Sequence, residues 1–153
     1  MKSEIPTARW NWLPPAGHQL RKAGVHFDAV RISGRKAEAI AALLEQAQDG
    51  SPGPVIQELT GYRWLYFLLP PGAAAARAWP YGVQRYTART RGSVAYVGVP
   101  ALAGETWPLG WRCVPTTDRE HLDAELLHRT VWGELGGVSP QAEGPYGAVS
   151  PEY

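Results

Sequence analysis

Apolar residues recur at period two through Val25 to Ile32 (VHFDAVRI). Val25, Phe27 and Ala29 fall on one face; His26, Asp28, Val30 and Ile32 fall on the other. That alternation predicts a strand, ended by Ser33-Gly34. The period then changes. From Lys36 to Gln48, Ala37, Ile40, Ala41, Leu43, Leu44 and Ala47 form a stripe at three-four spacing, with Glu38, Glu45 and Gln48 off it, which predicts a helix. The breakers of DGSPGP (49–54) stop it.

A short run from Val55 to Leu59 predicts a second strand. Tyr62 to Leu69 is apolar on both faces apart from Arg63, so it predicts a central strand covered on both sides. Pro70-Pro71-Gly72 closes it, and Ala73 to Arg77 suits a brief helix. Gly82 to Thr87 and Ser93 to Val99 predict two strands joined by a turn at Arg89-Thr90-Arg91-Gly92, and Trp111 to Val114 a last short one. Thr117-Asp118-Arg119-Glu120 has the form of a capping box, predicting a helix from about Asp118 to Leu135 that ends at Gly136-Gly137. Ahead of all this, His18 to Ala23 suits a helical turn stopped by Gly24.

This order predicts a single α+β domain, with one mainly antiparallel sheet and helices packed against it. Residues 1–24 form an arm bearing Trp10, Trp12 and Pro14-Pro15, residues 25–136 the domain, and residues 137–153 a flexible tail rich in Pro, Gly and Ser. A chain of 153 residues buries enough surface to fold without staples, and the one cysteine, Cys113, has no partner for an internal disulfide. No apolar core follows Lys2 as a signal peptide requires, and the run from Trp64 to Pro71 is too short to cross a bilayer. The expectation is a cytoplasmic protein with no membrane contact.

Charge changes the picture only locally. The net value of +1 argues against bulk attraction to nucleic acid, but Gly61 to Arg112 holds six Arg and one acid, whereas Cys113 onward holds two Arg and seven acids. Arg63, Arg85, Arg89 and Arg91, with Tyr62 and Tyr86, are candidates to contact phosphates and stack on bases; the plainer alternative is a solvated hairpin with ordinary strand aromatics. Asp28 and His26 share a strand face and are the residual catalytic candidates, against a hydrogen-bonded Asp and a surface His. Cys113 has the setting of a buried, inert thiol. His121 and His128 lie seven apart on the predicted last helix, a long spacing for one metal site. No phosphate-binding loop, paired-cysteine, zinc-protease or nucleophile-elbow motif occurs.

The order of several short motifs resembles the small bacterial primase–polymerase domain of the archaeo-eukaryotic primase superfamily, and short proteins of actinobacterial type. The motifs are Phe27-Asp28-Ala29-Val30, the 36–48 helix, Leu59-Thr60-Gly61, Trp64-Leu65-Tyr66-Phe67 running into Pro70-Pro71-Gly72, Gly82-Val83-Gln84, Gly92 to Pro100, and Gly110-Trp111-Arg112. They cover about ninety residues of the chain. The resemblance implies a two-metal nucleotidyl-transfer site built on carboxylates. Of its four site positions only Asp28 is kept. Val30 and Gln84 stand where carboxylates are expected, and Trp64 where a nucleotide-contacting His is expected. The resemblance therefore implies no resident cofactor, with Mg²⁺ or Mn²⁺ relevant only if Asp28 is a ligand.

Three functions follow as expectations. The first is a catalytically silent primase–polymerase-like domain that binds nucleotide or single-stranded nucleic acid. The second is a protein-interaction scaffold with no nucleic-acid role, by self-association or with a hetero-partner, through Trp10, Trp12 and the last helix. The third is a metal-dependent enzyme using Asp28, Glu58 or His26.

Overall fold

The computed structural model describes residues 10–88 and 94–137. Among these residues there are seven strands and two helices: β1 (His18–Lys22), β2 (Asp28–Ile32), α1 (Gly34–Ala47), β3 (Val55–Glu58), β4 (Leu65–Leu69), β5 (Gln84–Tyr86), β6 (Tyr96–Pro100), β7 (Leu109–Cys113) and α2 (Ala124–Leu135). The class is α+β, as the periodicity predicts. Five strands form one antiparallel sheet in the order β5-β2-β4-β3-β7, and β1 and β6 pair as a separate two-stranded ribbon.

Three layers result. On one face of the sheet, Val30, Ile32, Val55, Leu65, Phe67 and Leu69 pack against Ala37, Ile40, Ala41 and Leu44 of α1 and Leu127, Val131 and Leu135 of α2. On the other face, Phe27, Ala29, Ile56, Tyr66 and Leu68 pack against Val97 and Val99 of the ribbon and against Trp10, Trp12 and Leu13. β4 is the middle strand and all five of its residues are buried, which is why its sequence lacks alternation. α1 ends where Asp49 and Gly50 turn left-handed, with φ of 56° and 86°.

The Trp-bearing arm docks on the domain and belongs to the folded unit from Trp10 onward. Trp10 and Trp12 are 3% and 2% exposed, and the edge of Phe27 meets the Trp12 ring at 5.4 Å. They close the second core rather than offering a surface to a partner.

Four expectations change. Within the predicted helical turn His18 to Ala23, His18 to Lys22 is strand and only Ala23 is turn: the segment has no apolar stripe to bury, and its flanks are clamped to the β6 side by Ala101 N–H to Gly17 O (2.8 Å) and Ala23 N–H to Ala95 O (2.9 Å). Ala73 to Arg77 is turn, its amides answered locally by Ala73 N–H to Pro70 O and Ala76 N–H to Gly72 O. α2 starts at Ala124, capped by Asp123, whose carboxylate accepts from Leu126 N–H at 3.0 Å. It cannot start at Asp118, because Leu122 N–H is committed to Leu68 O at 2.9 Å. Finally, β5 and β6 lie in different sheets, so they do not form a hairpin ladder. The Arg89 to Gly92 turn and the tail from residue 138 lie outside the described residues, with Arg89 and Arg91 among them.

Candidate binding site at one end of the sheet

Where β2 finishes, Arg31 lies on the ribbon-facing side of the sheet, opposite the face of Val30 and Ile32. It pairs across the ladder with Tyr66 on β4 and with Gln84 on β5. Side chains of directly paired residues share a face, so the register brings all three together. Arg31 Nη1 donates to Tyr66 Oη at 3.3 Å, and Nη2 donates to Gln84 Oε1. The guanidinium lies 3.9 Å from the Trp64 ring centroid, and 5.6 and 5.8 Å from those of Tyr86 and Tyr66. A guanidinium fits this setting because it is planar, weakly hydrated and able to stack while its edge still donates.

Glu58 completes the group. Tyr66 Oη donates to Glu58 Oε2 at 3.3 Å, so one hydroxyl stands between the cation and the carboxylate. Burial pushes Tyr66 up to about 12, with Arg31 opposing that shift, and burial also raises Tyr86. Both phenols are protonated donors at neutral pH.

Outside this half-buried group sits an exposed rim. Tyr62 is 75% exposed and meets Trp64 at 6.2 Å in an edge-on contact. Arg63 follows it in the β3–β4 turn, also exposed, with φ of 56°. Leu59 N–H donates to Pro108 O at 2.9 Å, which sets this turn beside the loop that carries Trp107, 62% exposed. Because Ile32 pairs with Leu65, the start of α1, with exposed Arg35 and Lys36, opens at the same end of the ladder. Two exposed aromatics and several cations therefore gather at one end of the sheet.

The residues singled out from sequence separate. Tyr62, Arg63 and Tyr86 belong to this end or to the face behind it. Arg85 pairs with Val30, whose side chain is in the helix-facing core, so Arg85 points to the opposite side. Asp28 is 0% exposed, and its Oδ2 accepts from Ala74 N–H at 3.0 Å. It holds the turn after Pro70-Pro71-Gly72 in place. His26 precedes β2 and is exposed; its carbonyl contacts His121 Nε2 at 2.8 Å. Glu58 lies on the ribbon side, so Asp28, His26 and Glu58 do not meet. The four positions tied to the nucleotidyl-transfer site divide as well: Asp28 and Val30 face the helices, whereas Trp64 and Gln84 face the ribbon side.

His121 and His128 have separate partners, the second contacting Ala78 O at 2.8 Å. Trp132 Nε1–H also reaches that carbonyl at 3.0 Å. Cys113 Sγ lies 3.1 Å from Glu45 Oε2, and burial with that carboxylate raises the thiol to about 12. Among the described residues, no three or more His, Cys, Asp or Glu are grouped to hold a metal ion. No helix there is long and apolar enough to cross a membrane.

Arg31 escaped the sequence reading because its strand alternates correctly with or without it. The signal was available: a lone Arg on the apolar face that carries Phe27 and Ala29 must find partners there.

Comparison with protein-family models, curated proteins and solved structures finds no match to this chain. The likeness to primase–polymerase domains rests on the order of short motifs.

Proposed function

We propose that this chain is a binding module for nucleotides or single-stranded nucleic acid, contacting them at the β3–β4 end of the sheet. The observation that carries this reading is an exposed aromatic, Tyr62, held edge-on by Trp64, which is itself stacked on Arg31. Exposing a tyrosine at 75% gains nothing for the core. A base stacks on such a surface without sequence preference, and Arg63, Arg35 and Lys36 supply charge for its phosphates. The reading needs no metal and no catalytic carboxylate, and it does not depend on the primase–polymerase likeness.

Titration with a ten-nucleotide oligothymidylate and with ATP, followed by tryptophan fluorescence and thermal shift with and without Mg²⁺, tests it. Metal-independent binding is expected, weakening as salt rises. Tyr62→Ala should weaken it by about 1–3 kcal/mol, the value of one stacked base. Binding that ignores both Tyr62→Ala and Arg63→Ala removes this site. Strict dependence on Mg²⁺ returns the enzyme reading. A protein partner is the second reading, favoured by the strand edge described next.

A further inference from the structure

The ribbon has two edges, and they differ. In antiparallel pairing, alternate residues exchange hydrogen bonds with the partner strand while those between them point their N–H and C=O outward. The bonds at Gly17–Ala101 and Ala23–Ala95, with the register between them, direct the backbone of Gln19 and Arg21 toward β6. His18, Leu20 and Lys22 therefore present theirs to the outside. On the β6 side the equivalent outward edge is blunted. Pro100 has no N–H, and its carbonyl accepts from Trp111 Nε1–H at 3.2 Å. Leu109 closes over Gly98, where an added Cβ would come within 2.9 Å of its Cδ1.

The outer edges of the five-stranded sheet are also protected. β5 is only three residues long. On β7, Arg112 is tied across to Glu38 and Glu45 at 3.5 Å each. β1 has neither shortness, nor proline, nor a bulge. Its five residues run in register, four of them are exposed, and Leu20 is 68% exposed. Among the described residues no strand pairs with this edge, and such an edge is a template for another strand.

We propose that β1 is a strand-addition site for an extended acidic peptide segment of a partner protein. Charge decides between occupants. His18, Leu20 and Lys22 lie on one face, and neither β1 nor β6 contains an acid. A second copy pairing antiparallel about Leu20 would set Lys22 against His18 and Arg21 against Gln19, with no opposite charge anywhere in the ladder. A strand of the pattern acidic-x-apolar-x-acidic sets carboxylates opposite His18 and Lys22 and an apolar side chain beside Leu20. Arg21 is held within its own strand and arm: its Nε–H donates to Trp12 O at 2.9 Å, and its Nη1 to Gln19 Oε1 at 2.9 Å and, at 3.4 Å, to Leu20 O, which keeps a second lone pair for an added strand.

The test is amide hydrogen exchange by NMR on the full chain. It uses two heptapeptides: threonine alternating with glutamate, valine and glutamate, and the same peptide with lysine for glutamate. The glutamate peptide should slow exchange at His18, Leu20 and Lys22 and leave Gln19 and Arg21 unchanged. It should bind about tenfold more tightly than the lysine peptide. Leu20→Pro removes an outward N–H and no ribbon bond, so it should abolish the protection. Should that variant fail to fold, Lys22→Glu, on an exposed side chain, should reverse the preference between the peptides. Equal binding of both peptides overturns the proposal. So does protection of these three amides before any peptide is added, or protection that grows with protein concentration.

Discussion

The contact between Arg31 and Trp64 makes a quantitative prediction. A guanidinium within about 6 Å of an indole centroid is worth about 0.5–1 kcal/mol in water and about 2 when desolvated. Here the separation is 3.9 Å and Trp64 is buried, so the upper value applies. A double-mutant cycle of Arg31→Leu and Trp64→Leu isolates the pair, because each change leaves an apolar side chain in place. The coupling energy should be about 1.5–2 kcal/mol from urea denaturation. A second cycle, Arg31→Leu with Tyr86→Leu, tests distance. That centroid lies at 5.6 Å, near the limit, and its coupling should be about 0.5 kcal/mol. The single Arg31→Leu change also strips Gln84 Oε1 and Tyr66 Oη of a donor, so it should destabilise by more than the coupling alone. A Trp64 coupling under about 0.5 kcal/mol, or equal couplings in both cycles, would refute the claim that stacking fixes Arg31.

Other measurements follow from the same geometry. Trp12→Ala should cost about 3–5 kcal/mol, a large part of a domain's stability, because the ring fills the second core; an effect under about 1 kcal/mol would mean the arm is dispensable. Asp28→Ala strands the Ala74 amide and should cost about 1–3 kcal/mol, while Asp28→Asn keeps an acceptor and should cost less, both read by thermal unfolding. Cys113 and Tyr66 hold their protons more tightly folded than unfolded, with values near 12 against 9.0 and 10.0. Their contribution is therefore complete below pH 9 and is lost as pH rises toward 12, so stability should fall through that window and Tyr66→Phe should flatten the fall. At pH 8, iodoacetamide should alkylate folded Cys113 about a thousandfold more slowly than a free cysteine, and Glu45→Gln should speed it.

The sequence by itself determined the elements whose signal is local. α1 is legible because four of its stripe residues (Ala37, Ile40, Ala41 and Leu44) meet the core. β4 is legible because a strand buried on both faces must be apolar throughout. The α+β class follows from those periods in order.

Tertiary structure decided the rest, because pairing partners are chosen between distant segments. HQLRK is polar enough to suit a turn, and becomes β1 only through the backbone bonds β6 provides. The Thr117 box is overruled because Leu122 bonds to Leu68, a contact 54 residues away in the chain. Asp28 looks like a metal ligand until the fold turns it inward to an amide of the 70–76 turn. Arg31 looks incidental until antiparallel register, a long-range property, sets it between Tyr66 and Gln84 and beneath Trp64. Local pattern fixes which face of an element is apolar; only the packed sheet fixes which polar residue on that face is enclosed, and by what.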